Sequence, residues 1–449
     1  MVGKNLFANL KRAATSRGGM AATAQTVLAN VLILGVNVGT GIITARLLGP
    51  TGRGEQTAMS IWPMILASSL TLGVPSALVY NLKRYPEGAS RLFSGALLMG
   101  TLLGGVATAV GVLLIPGWLA EYSAEVVSFA QLLMFSAPLM TLTLVFTSAL
   151  LAREEFTTFN ALRYLNPLLT LLTLVLLALT YHLTPFNSTL AYIWPTFPLF
   201  LWMLIRLWRL YRPTWPGLGW AVKHLTHYGV RSYGAELLAY LSPNIDRILV
   251  VGLVAPAALG LFVVGSSLAQ MLNVFQVAVS SVAFPKASGR SLQEVMSLTE
   301  RATKGSLAMT VLAAIGLTLL GPWVMSLLYG QEFLDAVPVF RLLLVAVVLN
   351  GTDQVLCLAL MAVGRPGTVT LVQSSGLALS VPLLLVLVPL YGIEGAGLAM
   401  LISAAIRFVL VFVSFPLVLK TRPPRVWPTS TDLALIIATF RNFRNREGS

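Results

Sequence analysis

Long charge-free stretches alternate with short polar segments along most of the chain. A helix needs about 20 apolar residues to cross the hydrocarbon core of a bilayer, because its backbone polar groups must pair within the segment. Most of the stretches fit one crossing each, and residues 164–205 divide into two at a polar break. The pattern predicts twelve spans, at 22–48, 57–82, 92–116, 126–152, 164–182, 188–208, 231–254, 257–285, 305–328, 338–362, 367–390 and 395–419.

The composition supports this interpretation, since 56% of the residues are hydrophobic and only 10% are charged. A soluble domain carries roughly 25% charged residues because its surface faces water. The composition therefore excludes a soluble globular domain and predicts an all-α polytopic membrane protein. In such a protein the position of the charges matters more than the net charge of +14, and we expect no nucleic-acid partner.

The basic residues favour one orientation in the membrane. If the N-terminus is cytoplasmic, 25 of the 30 Lys and Arg residues lie in the inner segments and only Arg46 and Arg53 lie in outer loops. Inner loops of bacterial membrane proteins carry this excess of positive charge. The distribution predicts a multi-pass protein of the inner membrane with both termini in the cytoplasm.

The most hydrophilic internal segment separates six predicted spans from six others. The predicted organisation has five parts, which are a basic cytoplasmic arm at 1–21, a six-helix bundle at 22–208, a cytoplasmic linker at 209–230, a second six-helix bundle at 231–419, and a basic cytoplasmic tail at 420–449.

A short repeat links the two halves. Ala45–Gly54 and Val251–Gly260 both keep Pro-x-x-x-Gly, with Pro50 and Pro256 offset by 206 residues, at the outer end of the first span of each half. Because each half contains an even number of spans, the repeat is parallel, with its pseudo-two-fold axis along the membrane normal. Secondary transporters use such repeats to move two bundles about a central site.

The first copy of this repeat, ARLLGPTGRG, also resembles the first-loop signature of the polysaccharide transporter family. These proteins are O-antigen and exopolysaccharide flippases, related to multidrug and toxic compound extrusion exporters. The resemblance covers about residues 25–420 and continues through motifs in the expected order, at Asn244–Ile248, Gly260–Phe262, Phe284–Ser288, Leu327–Phe333, Ala336–Arg341, Ala362–Arg365 and Tyr391–Leu398.

The resemblance implies a flippase with two bundles in a V shape that alternates access between the two membrane faces. Its implied substrate is an undecaprenyl-pyrophosphate-linked oligosaccharide for O-antigen, capsule or exopolysaccharide synthesis, moved through a cationic cavity while the lipid tail stays in the bilayer. The expected partners are this lipid-linked oligosaccharide, the lipid bilayer, a polysaccharide polymerase and a chain-length regulator. No enzymatic activity is expected.

Ionisable side chains at membrane depth are costly unless paired or hydrated, and are therefore candidate functional residues. Arg46, Arg247 and Arg407 are the candidates for binding pyrophosphate, since guanidinium stays charged and matches phosphate oxygens with a planar fork. Gln270 and Asn273, three residues apart on one helical face, are candidates for binding sugar hydroxyls. The structural alternatives are ion pairs that fix bundle packing and helix–helix hydrogen bonds.

No cofactor and no metal site are expected, because the chain lacks a Walker A motif and Cys/His metal-binding spacing. A proton or sodium gradient, or removal of product by polymerisation, would then drive transport. The candidate coupling residues are Asp353, Asp246 and Glu236, with Glu236 and Arg247 predicted to share one face of span 7. The alternative for Asp353 is a permanent pair with a buried arginine such as Arg407.

Two other functions remain open. A cation-coupled exporter of small molecules or drugs, from the same superfamily, would favour an acidic cavity, which the deep arginines disfavour. A membrane-embedded polysaccharide polymerase is the least favoured, because such enzymes usually need a sizeable periplasmic loop and the outer loops here are short.

Overall fold

The computed structural model describes residues 19–287 and 290–426, and within 19–31 and 281–287 it describes the backbone alone. Most of the predicted N-terminal arm and the tail beyond 426 lie outside the described residues. The described chain is helical and contains no strand. Its α-helices are α1 Gly19–Ser69, α2 Val74–Arg84, α3 Ala89–Trp118, α4 Ala124–Leu133, α5 Ala137–Ala152, α6 Phe156–Leu179, α7 Pro185–Ile193, α8 Thr196–Tyr211, α9 Leu218–Leu241, α10 Ile245–Leu253, α11 Pro256–Gln270, α12 Asn273–Ala287, α13 Leu292–Leu328, α14 Val337–Ala362 and α15 Pro366–Ser414.

Eight helical segments of the described chain are long and apolar enough to cross a membrane. Two of them contain a glycine with positive φ, Gly49 in α1 (66°) and Gly392 in α15 (58°), at which the helix breaks and restarts. Glycine adopts this conformation without the steric cost that a Cβ would bring. The all-α polytopic fold is confirmed, whereas the exact count of twelve spans in two bundles stays a prediction.

Two predicted spans are interrupted. Span 7 is divided by Ser242–Asn244, where Pro243 lacks the N–H that a helix requires. Span 8 is divided at Met271 and Leu272, whose amides bond three residues back in a tighter turn, at 3.3 and 3.2 Å. The two same-face arguments from the sequence each assumed a continuous helix, whereas Glu236 lies in α9 and Arg247 in α10, and Gln270 ends α11 while Asn273 begins α12. Whether either pair shares a face stays a prediction.

Charged segments gather at one end of the first half, which we call the basic end. Lys83 pairs with Glu154 at 3.3 Å, and Arg206 pairs with Glu155 at 2.7 Å. The Arg153 guanidinium lies 4.9 Å from the centre of the Tyr211 ring. These residues come from segments that the charge distribution assigned to one side of the membrane, so the structure groups them as the sequence predicted.

The two Pro-x-x-x-Gly motifs pack directly against each other, in a contact that we call the seam (Pro50–Gly54 and Pro256–Gly260). A Cβ added at Gly54 would lie 1.8 Å from the Pro256 carbonyl oxygen, and one added at Gly260 would lie 1.9 Å from the Pro50 carbonyl oxygen. Each glycine therefore accommodates the backbone of the other copy. Reciprocal contacts of this kind are what a local two-fold axis produces.

Candidate functional site

A cluster of charged side chains lies beside the seam, and its first member was missed from the sequence. Arg53 had been assigned to an outer loop, but the break at Gly49 is so short that Arg53 is helical again. Its side chain is buried, with Nη1 donating to Gln56 Oε1, while its buried Nε has no hydrogen-bond partner. The available signal was Pro50, since proline favours the first turn of a helix and places Arg53 just inside it.

Arg247 reaches the same cluster from α10. Its side chain is half-buried, and its charge interacts with those of Arg53 and Asp246. Its Nη2 donates to Gln270 Oε1 over a long 3.5 Å. The structure thus brings together two predicted substrate-binding residues, Arg247 and Gln270, from opposite sides of the break between α10 and α11.

Asp246 interacts electrostatically with two arginines but forms a close ion pair with neither. Its charge interacts first with Arg407 and then with Arg247, yet no N–O distance within 4.0 Å joins it to a basic group of the described residues. Its Oδ1 is buried and has no hydrogen-bond partner. A carboxylate oxygen left in this state is costly, so the site has an acceptor available to a ligand, a cation or water.

Arg407 forms the deep part of the cluster. Its Nη2 donates to Asn350 Oδ1 at 2.7 Å, and its buried Nε has no partner. The side chain runs across Gly376, where an added Cβ would lie 2.1 Å from Arg407 Cδ. Gly376 lies in α15 before the break at Gly392, and Arg407 lies after it. Because Gly376 has no side chain, the Arg407 side chain can pack against this first segment.

Asp353 is buried next to Arg407 but is held mainly by neutral groups. Gln373 Nε2 donates to its Oδ2 at 3.3 Å, and the Cys357 thiol donates to its Oδ1 at 3.7 Å. The charge of Arg407 also acts on it, although no ion pair within 4.0 Å forms among the described residues. Asp353 is therefore influenced by Arg407 without being bonded to it.

The remaining predicted residues lie outside this cluster of contacts. Arg46 is exposed on α1, and Asn273 is half-buried at the start of α12. Glu236 lies near the first turn of α2, where the backbone N–H of Ser76 favours its charged form. Its Oε1 is buried and has no hydrogen-bond partner. The helix N-terminus thus explains the charge of Glu236 in part.

The cluster holds three arginines, Arg53, Arg247 and Arg407, and two carboxylates, Asp246 and Asp353, so these five groups together carry an excess of positive charge. Two of these arginines, Arg53 and Arg247, come from different halves and repel each other. An anion between them would relieve that repulsion, and a phosphate has the geometry to accept bonds from both forks. In the described part of the chain, no group of three or more His, Cys, Asp or Glu residues could hold a metal ion.

The fold resembles those of solved membrane transporters. It is similar to the lipid II flippase MurJ in an inward closed conformation, with a TM-score of 0.75, 15% identity, and coverage of 88% of this chain and 87% of that one. It is also similar to an inward-facing multidrug resistance MATE family transporter of the MOP superfamily, with a TM-score of 0.68, 16% identity, and coverage of 86% and 95%.

A third similar structure is a MOP superfamily transporter from Pyrococcus furiosus described as having a binding pocket of reverse polarity. Its TM-score is 0.58 at 16% identity, with coverage of 88% of this chain and 94% of that one. At such identities the likeness establishes the fold alone. Among curated proteins no sequence matches.

The family of the chain is identified by comparing its sequence with family profiles. A profile described as "polysaccharide biosynthesis protein" matches residues 43–338, which is more than half of the chain and includes both copies of the repeat. The long apolar helices and the transporter fold make this a multi-pass membrane protein. The chain therefore belongs to the polysaccharide biosynthesis protein family, as its first-loop signature indicated.

Proposed function

We propose that this protein is a flippase that moves an undecaprenyl-pyrophosphate-linked oligosaccharide across the bacterial inner membrane for O-antigen, capsule or exopolysaccharide synthesis. The observation that carries the proposal is the electrostatic repulsion between Arg53 and Arg247, one from each half of the chain. Two like charges held together in a partly buried site are unfavourable unless an anion joins them. Membership of the polysaccharide biosynthesis family supports a glycan-linked anion as the substrate.

Pyrophosphate suits this cluster better than a neutral ligand. Each hydrogen bond to a charged group contributes about 1.5–3 kcal/mol, so a fork from each of two arginines could hold the anion firmly. Gln270, whose Oε1 accepts a hydrogen bond from Arg247 at 3.5 Å, is proposed to bind the first sugar. Asn273 and Arg46 would bind the glycan further from the pyrophosphate, and Arg407 would act on the deep side of the cluster.

Transport is proposed to use alternating access without a cofactor, driven by a proton or sodium gradient. Asp353 is the first candidate for the coupling residue because it is buried, and its bonds come from Gln373 and Cys357 rather than from an arginine. Asp246 is the second, with its unpartnered Oδ1. Glu236 is the third candidate, because its charge is already stabilised by the N-terminus of α2.

We infer a transporter and not an enzyme, with a polysaccharide polymerase and a chain-length regulator as downstream partners. The basic end is proposed to face the cytoplasm together with both termini. Reporter fusions in 83–91 and 210–225 should then report a cytoplasmic location, and fusions in 120–125 and 330–335 a periplasmic one. A periplasmic location for 83–91 would contradict this orientation.

An exporter of small cationic molecules is the second candidate, favoured by the similarity to MATE structures. The excess of arginine over carboxylate beside the seam opposes it, because a cationic cargo would meet a positive site. The two candidates predict opposite preferences for the charge of the ligand, so one binding experiment separates them.

The test measures binding of a lipid-linked pyrophosphate oligosaccharide and of a lipophilic cation to the purified protein. Arg53→Ala and Arg247→Ala should each weaken binding of the pyrophosphate by about tenfold or more, as loss of a charge-assisted bond implies. Arg247→Ala and Arg407→Ala should also abolish glycan export in cells while the protein remains in the membrane, and lysine at either position should restore export only partly.

Arg341→Ala is the matched control, because Arg341 is an exposed arginine within α14. It should bind and export as the wild type does. Unchanged binding in both the Arg53 and Arg247 variants would contradict the proposed anion site. Tighter binding of the lipophilic cation than of the pyrophosphate would instead favour the exporter.

A further inference from the structure

A separate cavity of about 160 Å³ lies within the first half, between α5, α6 and α8. Its polar lining comes from three helices, and the remaining lining residues are apolar. The polar residues are Thr143, Thr147, Arg163, Asn166 and Thr196. None of them belongs to the charged cluster beside the seam, so a function for that cluster does not explain this cavity.

The cavity combines one cation with several acceptors. Arg163 supplies the guanidinium, whereas the Oδ1 of Asn166 is buried and has no hydrogen-bond partner. Thr143 and Thr147 donate their hydroxyl protons to the carbonyls of Leu139 and Leu144, at 2.8 and 2.9 Å. Their hydroxyl oxygens can therefore only accept further bonds. A complementary ligand must carry a negative group for Arg163 and hydrogen-bond donors for the other three.

The depth of the cavity follows from helix geometry if the basic end is taken as the membrane surface. The ion pair between Arg206 and Glu155 lies immediately before α6 begins. Arg163 follows Glu155 by eight residues and lies about 12 Å deeper, at a rise of about 1.5 Å per residue. Each headgroup layer of a bilayer is about 5–8 Å thick. Arg163 thus lies just beyond the headgroup layer, and its long side chain can reach lipid phosphates.

We propose that this cavity binds the headgroup of a bilayer phospholipid whose polar end carries hydrogen-bond donors, such as phosphatidylglycerol or phosphatidylethanolamine. Arg163 contacts the phosphate, and the hydroxyl or ammonium donors of the headgroup reach Asn166 and the two threonines. Basic pockets between membrane helices bind lipid headgroups through the same chemistry. The unpartnered Asn166 oxygen distinguishes this site from one that recognises phosphate alone.

The binding test is native mass spectrometry of the purified full-length protein with equal amounts of phosphatidylglycerol, phosphatidylethanolamine and phosphatidylcholine. Phosphatidylcholine is the critical comparison, because it has the phosphate but no headgroup donor. The first two lipids should be retained about fivefold more than phosphatidylcholine, as one additional hydrogen bond implies. Equal retention of the three lipids would overturn the proposal.

Substitutions of the lining residues test whether the lipid preference arises from this cavity. Asn166→Leu should abolish the preference over phosphatidylcholine, and Arg163→Gln should weaken retention of all three lipids. Thr147→Val, which nearly conserves shape, should reduce the preference and covers the case in which Asn166→Leu fails to fold. Arg209→Gln is the control, since Arg209 is exposed on α8 and does not line the cavity. An unchanged preference in a folded Asn166→Leu or Thr147→Val protein would overturn the assignment.

Soluble glycerophosphoglycerol distinguishes a lipid from a free phosphate ester. It should compete with phosphatidylglycerol only at concentrations far above those of the lipid, because it lacks acyl chains that partition into the surrounding bilayer or micelle. Competition at equal concentration would overturn the lipid assignment.

Discussion

The two copies of the Pro-x-x-x-Gly motif make equivalent packing contacts but differ in charge. Gly54 and Gly260 exchange equivalent contacts with Pro256 and Pro50. One position earlier, however, the first copy has Arg53 and the second has Leu259, which is fully buried in the apolar core. The backbone packing is thus the same in both copies, while only the first copy carries a charge.

This difference separates residues that hold the halves together from residues that act on a ligand. The glycines have a packing role in both copies, and a role shared by two copies is explained by the repeat itself. Arg53 has no charged counterpart at position 259. Its Nη1 donates to Gln56 Oε1, and its charge acts on Arg247. The exceptions to the repeat are therefore where function is expected.

The largest effect is expected from Arg53→Leu, which makes the two motifs chemically alike. Transport of a lipid-linked oligosaccharide in vesicles should fall at least about tenfold. Thermal stability should be unchanged or higher, because replacing a buried charge with an apolar side chain is often neutral or stabilising. Wild-type transport by this variant would show that the charge difference between the two motifs has no role in transport. Arg341→Leu is the control for loss of an arginine elsewhere.

The second prediction concerns the carboxylate deep in the other half. Asp353→Asn keeps the shape of the side chain and can still accept a bond from Gln373, but it cannot exchange a proton. The variant should lose the response of transport to an imposed pH gradient while remaining folded, and Asp335→Asn, an exposed site, should keep it. Equal responses of Asp353→Asn and wild type would exclude Asp353 as the proton carrier.

A smaller effect on folding tests the equivalence of the two copies. Gly54→Ala and Gly260→Ala should each destabilise the protein by about 1–3 kcal/mol, because the new methyl group meets a carbonyl. The two effects should be similar, and the double variant should be non-additive since the sites are in contact. The measurement is thermal unfolding in detergent. Gly41→Ala, where nothing lies within 4 Å, is the control; very unequal losses would contradict the reciprocity.

The smallest effect is expected at a helix N-terminus that differs between the halves. Ser291 forms a capping box with Glu294 at the start of α13, whereas Gly88 precedes α3 without a side-chain cap. The bonds from Ser291 lower the pKa of Glu294 below its usual 4.5. The stabilisation is therefore fully present above pH 4.5 and is lost as the pH falls through the lowered pKa.

Ser291→Ala should return the pKa of Glu294 toward 4.5 and speed hydrogen exchange in the first turn of α13 at neutral pH. The exchange of α3 should not change. Hydrogen-exchange mass spectrometry, corrected for the intrinsic dependence of exchange on pH, measures both. Equal exchange in α13 of the variant and the wild type would contradict a stabilising role for the capping box.

The sequence was sufficient for the fold class and for the alignment of Pro50 with Pro256, because apolar length and turn residues are local properties. It could not reveal that the two copies touch, since periodicity carries no information about how bundles face each other. It also placed Arg53 in a loop, because a charge beside Gly and Pro is usually solvated. Here the break uses only Gly49, and Arg53 is buried.

The candidate site was predicted less well than the fold, for a related reason. Arg247, Arg407 and Asp353 could be found by their cost at membrane depth. The residues that contact them could not be predicted. For example, Arg407 packs against Gly376, which lies on the other side of the break in α15. The same-face argument for Glu236 and Arg247 assumed a continuous helix, which the structure interrupts at Pro243.

The reciprocal contact at the seam couples the substitutions that the two halves can accept. The obstacle that a side chain at Gly54 would meet is encoded 202 codons away at Pro256, and the obstacle at Gly260 is encoded at Pro50. A mutation in one half cannot be compensated within that half. In relatives of this chain, positions 54 and 260 should therefore be retained or replaced together, while positions 53 and 259 are free to diverge.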